Sequence, residues 1–463
     1  MPVQEIKLTT IGRLYAWSVV FEPLLFFVVA HSALTGVGAN LARILQIFVL
    51  IGLALRWLLQ KKPFLIFNPA SPLYVEYTYY YIFAIFAGLL GLISGSYVLD
   101  MQYNPDYASS LLASIIRGPS FRPVFEYFIA LYYFAYFVVL PRYLLNSTEG
   151  VQYFFKIFSI TFGLFMILGG LDLVLVIFGH ELIHRHLSDG VEIGFRFHSL
   201  AGEPRDAFVY LMFGMATLTL REFLRDGKSI SKAWIITILA AALLTQSASG
   251  LFGLLFSGFL MLAFSLKHPS KLRTLVSAGL FLMVSVGTIY VCVYFSQRLQ
   301  FYVDALYGIF RILDQGEPIP QGLLGQMNNI FPIWDMYQKI IHGNVLPLIF
   351  GSGLGSSSII NNNLGYWNDL TNPHAQLVRV LYESGVVGLY FLVMSFVYPV
   401  RILTVHLPPK VAKRFLLFTL VLVGAFLAHR SATPFIYLGI FMLVMQRSRA
   451  PSGQQEPPVG HER

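Results

Sequence analysis

The sequence is poor in charged residues and almost devoid of cysteine. Only 12% of its 463 residues are Asp, Glu, Lys or Arg, whereas soluble domains carry about 25%. A chain that is 56% hydrophobic cannot cover its surface with polar groups in water, so these proportions exclude a soluble globular protein. Cys292 is the single cysteine, which excludes an intrachain disulfide. The segments outside the membrane therefore hold their shape without one.

Long apolar runs take the place of charge. About twelve of them approach the ~20 residues that a helix needs to cross the hydrocarbon core. Because the runs are continuous rather than alternating, they predict helices and exclude membrane-spanning strands. The predicted fold is an all-α polytopic membrane domain over residues 1–446, followed by a polar tail, 447–463, that we expect to be disordered. The predicted spans are 14–36, 39–60, 74–98, 123–144, 151–178, 206–222, 233–246, 249–267, 273–296, 375–400, 412–428 and 431–446.

Lys and Arg are distributed unevenly between the connections. Short connections dense in basic residues, such as 221–232, 267–273 and 401–414, all fall on one side, which the positive-inside rule assigns to the cytoplasm. Both termini are then expected in the cytoplasm. The net charge of +9 mostly reports this topology, so we do not expect nucleic-acid binding. We expect no cleavable signal peptide, because the first apolar run is long and lacks a small-residue cleavage site.

The longest segment outside the apolar runs is 297–373, which this topology places on the outer, periplasmic face. Loops of this length usually act as lids or binding segments. Within this lid segment, FRILDQG and MNNIFPIWDMYQKII have the pattern of amphipathic helices, and IFGSGLGSSS predicts a Gly/Ser-rich turn. His374 follows it directly, at the mouth of an apolar helix. A titratable side chain near lipid, water and a lid is the leading candidate for catalysis.

The outer face also carries arginines that membrane insertion does not require. A guanidinium near a helix end can grip a phosphate at the bilayer surface. The alternatives are snorkelling, or pairing with nearby carboxylates, as the four-residue spacing of Arg379 and Glu383 allows. The arginines proposed as an anion-binding set are Arg196, Arg205, Arg311 and Arg379.

Three segments, taken in order, carry a family pattern. The first is FRFHSLAGEPRDAF, at 195–208, and the second is LLTQSASGLFGLL. The third begins with IFGSGLGSS and continues, after a polar stretch, with NPHAQLVRVLYESGVVGL. Together they resemble the signature of the bacterial O-antigen polymerase and O-antigen ligase superfamily. Its members show a Gly-rich turn, a histidine at the start of a helix, an element with Arg, Gly and Glu-Pro-Asn, and a Leu-Thr-x-Ser-Arg sequence. The resemblance covers roughly residues 195–390.

The resemblance implies a metal-independent membrane glycosyltransferase without cofactors. Such an enzyme takes a glycan from an undecaprenyl-pyrophosphate carrier at the periplasmic face of the bacterial inner membrane and passes it to a sugar hydroxyl. The acceptor is another lipid-linked repeat unit in the polymerase and the lipid A core in the ligase. A chain-length regulator is a further partner that a polymerase implies.

By position, the resemblance makes His374 the catalytic histidine and Arg196 the first arginine of the pyrophosphate clamp. The second family arginine falls within TQSASG, where this chain has Ala248 or Gly250 instead. Another arginine of the outer set, Arg205, Arg311 or Arg379, has to replace it.

The residue chemistry points the same way. Histidine can take the proton of an acceptor hydroxyl, and arginines can neutralise a departing pyrophosphate without a metal ion. Direct in-line attack would invert the anomeric centre. Tyr366 and Trp367 are candidates for stacking on sugar faces, or for packing the lid on the membrane interface. Glu383 is a further candidate for the acceptor or lid region.

A metal-dependent enzyme is one competing interpretation. His180, Glu181 and His184 match H-E-x-x-H, in which two histidines on one helix face bind zinc and the glutamate acts as a base. Such a site needs a third ligand, for which His198 is a candidate. Metal analysis and chelator sensitivity would separate this interpretation from the glycosyltransferase.

A transporter is the other competing class. Glu22, Arg43, Glu126 and Asp172 lie in or near apolar runs, where ionisable groups are functional candidates. Glu22 with Pro23 predicts either a kinked helix that lines a lipid groove or a satisfied structural carboxylate. Against transport, the two halves of the sequence show no repeat, and the long lid segment lies on one side only.

Overall fold

The protein is described from a computed structural model. Most of the described residues are helical. The structure describes residues 8–24, 28–31, 38–60, 72–93, 120–180, 182–183, 196–226, 230–266, 327–365 and 372–448, together with the positions 118, 279, 283, 286–287, 290, 308, 311 and 315.

The first half of the chain contains six helices and two short strands among the described residues. Helices α4 and α5 are joined by a π-helical turn, Phe134–Val139, into one continuous rod. The elements in chain order are α1 Thr10–Phe21, β1 Val28–His31, β2 Gly38–Asn40, α2 Leu41–Gln60, α3 Pro72–Ile93, α4 Arg122–Tyr133, α5 Pro141–Leu144 and α6 Thr148–Ile177.

The second half of the chain contains the helices of the lid segment and the C-terminal helices. A 3₁₀ turn, Ser199–Ala201, leads into the first of them. The elements in chain order are α7 Pro204–Asp226, α8 Lys232–Leu244, α9 Ala248–Leu266, α10 Ile330–Ile341, α11 Leu346–Phe350, α12 Ser356–Gly365, α13 Gln376–Leu403, α14 Pro409–Ala428 and α15 Thr433–Ser448.

Six helical segments in the described part of the chain are long and apolar enough to cross a membrane. Large apolar side chains on them face outward, as Phe48 and Leu58 of α2 do, which suits contact with lipid. The prediction of a helical membrane protein is thus confirmed, whereas the number twelve stays a prediction, since six segments of the described part of the chain meet this criterion. The six segments are Leu41–Leu59, Arg122–Leu144, Thr148–Ile177, Pro204–Arg225, Gln376–Leu403 and Pro409–Ala428.

The first predicted span, 14–36, is wrong as a continuous helix. Helix α1 ends at Phe21, and the chain continues into β1, which pairs antiparallel with β2. The physical reason is Pro23, which has no backbone N–H and cannot continue the helical hydrogen bonds. This strand pair is also a departure from the predicted all-α fold.

Glu22, at the end of α1, is a satisfied structural carboxylate. Its side chain is buried and lies 2.7 Å from Nη2 of Arg43, and it accepts a hydrogen bond of 2.6 Å from Gln46. Tyr132 donates in turn to Gln46. Because the two ionisable groups of this region neutralise each other, the arrangement favours the structural interpretation over a lipid-lining role.

Helix α13 is broken where the sequence reads Glu-Ser-Gly. Gly385 has φ 66° and ψ −170°, a conformation that only glycine adopts readily. The break leaves the carbonyls of Tyr382 and Glu383 without helical partners, and the backbone N–H groups of Ser352 and Gly353 donate to them at 2.7 and 3.1 Å. The Gly-rich turn predicted from the sequence therefore serves to satisfy a broken helix inside the bundle.

The lid segment contains three described helices, α10 to α12. The amphipathic helix predicted from MNNIFPIWDMYQKII is confirmed as α10, whereas the serines of the predicted turn begin helix α12. The side chains of α10 hold it on α13, since Tyr382 of α13 donates to Asp335 at 2.6 Å and Lys339 donates to the Tyr382 hydroxyl at 3.5 Å. Of FRILDQG, only Arg311 and Gln315 are described, both as helical.

Helix α15 extends to Ser448, so the first two residues of the predicted tail, 447–463, are helical. The remainder of that tail lies outside the described residues.

Candidate functional site

His374 lies in the loop just before α13, where three distant segments meet. Its Nδ1 lies 3.3 Å from Nη1 of Arg205, in the first turn of α7, and its Nε2 lies 3.4 Å from Nδ2 of Asn328, just before α10. The side chain remains exposed. The histidine, the Glu-Pro-Arg-Asp element and the lid thus share one site, as their predicted positions on the outer face require.

The environment keeps His374 neutral. Burial of part of the ring, together with the nearby charges of Arg205 and His429, lowers the pKa of His374 to about 4. An imidazole that is unprotonated at neutral pH can accept a proton. The residue therefore has the protonation state that a general base requires, with a modest affinity for the proton.

Acidic groups at the start of α7 surround Arg205. Glu203 pairs with Nε of Arg205, and Asp206 lies 2.8 Å from Nε2 of His429 at the end of α14. Burial raises the pKa of Glu203 above its ordinary value, Arg205 opposes the rise, and Asp206 adds to it. The mouth of the site therefore contains two pairs, Arg205 with Glu203 and His429 with Asp206, beside the exposed imidazole of His374.

A buried ion network lies behind the mouth, among α4, α13 and the loop after α14. The carboxylate of Glu126 lies 2.5 Å from Nη2 of Arg379, 2.8 Å from Nη2 of Arg122 and 3.6 Å from Nη2 of Arg430. Glu383 completes it at 3.2 Å from Nε of Arg379, which confirms the pairing that the four-residue spacing allowed. We call these five residues the arginine cluster.

The arginine cluster contains more positive than negative groups. Three guanidinium groups face two carboxylates, and one of those carboxylates, Glu383, also accepts a hydrogen bond of 2.5 Å from Ser357. Arg379 is 3% exposed, and its Nη1 has no hydrogen-bond partner among the described residues. A buried guanidinium N–H without a partner is costly, so this atom has the chemistry to receive an anionic oxygen.

A cavity of about 110 Å³ adjoins the arginine cluster. Its polar wall includes Glu126, Gln376, Arg379 and Arg430, and most of the remaining wall is apolar, as at Leu392. The cluster is also tied to the loop that carries His374, because Arg122 donates to Asn372 at 2.9 Å. A polar end beside an apolar wall suits a molecule with a charged head and a hydrocarbon portion.

Arg196 lies apart from the arginine cluster and grips backbone. Its Nε donates to the carbonyl of Thr245 at 3.0 Å, and its Nη2 donates to the carbonyl of Gln246 at 3.1 Å. The segment it holds, TQSASG, is the one in which the family places its second arginine. The role of Arg196 in binding pyrophosphate stays a prediction, and the structure adds a role in holding this loop.

The other predicted site residues are placed only in part. Arg311 is an exposed helical residue. Tyr366 and Trp367, and likewise Glu181 and His184 of the H-E-x-x-H match, lie outside the described residues.

His198 is buried between backbone oxygens. Its Nδ1 lies 3.2 Å from the carbonyl of Arg196 and its Nε2 lies 3.0 Å from the carbonyl of Ile183, with Asp172 3.7 Å away. Because both ring nitrogens lie against protein oxygens, neither is open to a metal ion in this arrangement. Within the described part of the chain, no group of three or more His, Cys, Asp or Glu residues could hold a metal ion.

Sequence reasoning missed Asn328 and Arg122 as members of the site. Arg122 could have been found, because Arg122 and Glu126 are four residues apart on an apolar helix and both are unusual there. Asn328 carries no comparable signal, since an asparagine in a polar loop is ordinary. Its place depends on how the lid folds back over α13.

No known protein family, no curated protein and no solved structure matches this chain.

Proposed function

We propose that this protein is a membrane glycosyltransferase that polymerises lipid-linked oligosaccharide repeat units into O-antigen or exopolysaccharide. The observation that carries the proposal is the contact between His374 and Arg205, 169 residues apart in sequence. The contact brings a neutral imidazole and a guanidinium together at the mouth of a membrane helix. Glycan transfer from a pyrophosphate needs a base for the acceptor hydroxyl and positive charge for the leaving group, and these two side chains can supply them.

The proposed reaction is a single displacement. The acceptor hydroxyl attacks the anomeric carbon of the donor glycan while its proton passes to His374. The bond between that carbon and the pyrophosphate oxygen breaks, and the lipid pyrophosphate leaves with the bonding electrons. The imidazolium then releases its proton to water, which restores the neutral ring. Attack opposite the leaving group inverts the anomeric centre.

The arginines supply charge stabilisation in this proposal. Arg205 lies at the mouth, beside the base, and Arg379 lies buried behind it with an Nη1 that has no hydrogen-bond partner in the described part of the chain. Two guanidinium groups at different depths suit the two phosphates of a pyrophosphate, since each can form charge-assisted hydrogen bonds. The apolar wall of the adjoining cavity suits the first part of the polyprenyl chain.

The proposed location is the bacterial inner membrane, with about twelve spans, both termini in the cytoplasm and His374 at the periplasmic face. The partners are the undecaprenyl-pyrophosphate-linked donor, a lipid-linked acceptor and a chain-length regulator. Cysteine-accessibility labelling tests the topology. Labelling of a cysteine at 374 only from the cytoplasmic side would overturn it.

The first experiment replaces the base. His374→Ala in purified protein should abolish glycan transfer from a lipid-linked donor while the protein still inserts and elutes as a single species. The matched control is His342→Ala, because His342 is exposed at the end of α10 and bonds only to its own helix at Gln338. Near-normal polymer length in the His374 variant would contradict the proposal.

A second experiment separates the related activities. A deletion strain that retains single repeat units on the lipid A core supports the polymerase, whereas polymer retained on the carrier lipid indicates the ligase. Metal analysis and chelator treatment of the purified protein address the H-E-x-x-H match. Loss of activity with a chelator, restored by zinc, would favour the metal-dependent alternative.

A further inference from the structure

Asn328 and Arg205 lie on opposite edges of the His374 ring. Arg205 approaches Nδ1 through Nη1, and Asn328 approaches Nε2 through its side-chain amide. A neutral imidazole has one N–H and one lone pair, so its two nitrogens need partners of opposite kind. As placed, both contacts offer donors, Nη1 of Arg205 and Nδ2 of Asn328, so one of the two groups has to present an acceptor instead.

The guanidinium decides the assignment. Arginine has only donors and is always protonated, so the nitrogen that faces Arg205 must present its lone pair. Nδ1 is then the lone-pair nitrogen, and Nε2 carries the hydrogen. An asparagine amide can be turned over so that its oxygen replaces its nitrogen, and this orientation accepts the Nε2–H.

Asn328 is held in place for this contact. It is 6% exposed, and its backbone carbonyl accepts a hydrogen bond of 3.0 Å from Asn361 of α12. The next residue, Asn329, accepts a hydrogen bond of 2.8 Å from the backbone N–H of Ala375. The start of the lid helix thus fixes both the side chain of His374 and the backbone beside it.

Resting on the proposed function, we infer that Asn328 is a positioning residue that holds His374 as the Nε2–H tautomer, so that Nδ1 is the nitrogen that takes the acceptor proton once Arg205 has released it. The lone pair then lies on the ring edge that faces Arg205.

The tautomer is measured directly by ¹⁵N NMR of protein labelled at histidine and reconstituted in lipid. The chain has 11 histidines, so His374 is assigned by difference with His374→Gln. We expect a protonated Nε2 and an unprotonated Nδ1 in the unaltered protein, and a mixture of tautomers in Asn328→Leu. A protonated Nδ1 in the unaltered protein would overturn the inference, whatever the activity of the enzyme. Loss of the proposed function with the expected tautomer intact would instead count against the function alone.

Kinetics distinguish positioning from simple packing of the lid. Asn328→Leu removes the acceptor of the Nε2–H and should lower kcat on the order of 100-fold with little change in the donor KM, because general-base catalysis is lost. Asn328→Asp keeps an acceptor at that place and should retain activity. Its negative charge should also move the acidic limb of kcat/KM to higher pH.

The matched control is Asn344→Asp, since Asn344 is an exposed lid residue that accepts only from the backbone of Leu346. It should leave both kcat and the acidic limb unchanged. If Asn328→Asp is as inactive as Asn328→Leu, or leaves the limb where it was, Asn328 only packs the lid and the inference fails. Thermal unfolding of both Asn328 variants in detergent checks that each one is folded.

Discussion

The carboxylate of Glu126 lies 2.5 Å from Nη2 of Arg379, and both side chains are almost fully buried. Arg122 approaches the same carboxylate from one turn earlier on α4, and Arg430 approaches it from the loop after α14. Glu126 therefore offsets the mutual repulsion of three guanidinium groups inside an apolar bundle. Glu383 is the second carboxylate of the arginine cluster, at 3.2 Å from Nε of Arg379, so removal of either carboxylate leaves buried guanidinium groups short of counter-charge.

Removing the charge of Glu126 should destabilise the protein strongly. Glu126→Gln keeps the shape of the side chain but leaves buried guanidinium groups without their shared counter-charge. We expect a loss of about 3–5 kcal/mol in the free energy of unfolding, measured by unfolding in a single detergent. The matched control is Glu149→Gln, whose partner Arg13 lies 3.5 Å away at an exposed position and should contribute under about 1 kcal/mol. Similar losses for the two variants would contradict this account of the cluster.

The break in α13 should not tolerate a side chain. Gly385→Ala places a Cβ against the backbone of Ile349 and Phe350, at a positive φ. Strain of this kind costs on the order of 1–3 kcal/mol before the steric clash is added. Gly170→Ala serves as the control, because a Cβ there meets nothing within 4 Å in the middle of helix α6. That control should be neutral or stabilising by about 0.5–1 kcal/mol. Equal thermal midpoints would show that the break is dispensable.

The pH dependence of the reaction should reflect the lowered pKa of His374. Because that pKa is about 4, the ring is neutral above this pH and is lost as a base only when the pH falls through about 4. The profile of kcat/KM, which reports groups of the free enzyme, should therefore be flat from pH 5 to 7 as far as this group is concerned. Arg205→Gln removes a positive neighbour and should move the acidic limb to higher pH. An acidic limb near 6.5 in the unaltered enzyme would contradict the assignment.

Conservative replacement should separate the two outer arginines. Lysine keeps the charge but loses the planar fork of arginine. Arg196→Lys should reduce stability by about 1–2 kcal/mol, since one ammonium cannot serve the carbonyls of both Thr245 and Gln246. Arg205→Lys should instead raise the donor KM with little change in the thermal midpoint. The reverse pattern would assign the pyrophosphate contact to Arg196.

Much of the site could be anticipated from local pattern. The low charge and long apolar runs predicted a helical membrane protein, and α10, the start of α13 and the pairing of Arg379 with Glu383 were all predicted from spacing. The first span failed because hydropathy alone extended it beyond Glu22 and Pro23, where the chain turns into a strand. Asn328 was not predicted at all.

The amino-acid sequence by itself determined that this chain enters a membrane as helices, because burial of apolar runs follows from composition and length alone. It also predicted that His374 lies at a boundary between lipid and water. Only the tertiary structure decided which groups face that imidazole. Arg205 and Asn328 reach it from segments 169 and 46 residues away, and such contacts depend on how the lid and the broken helix pack, which no local pattern encodes.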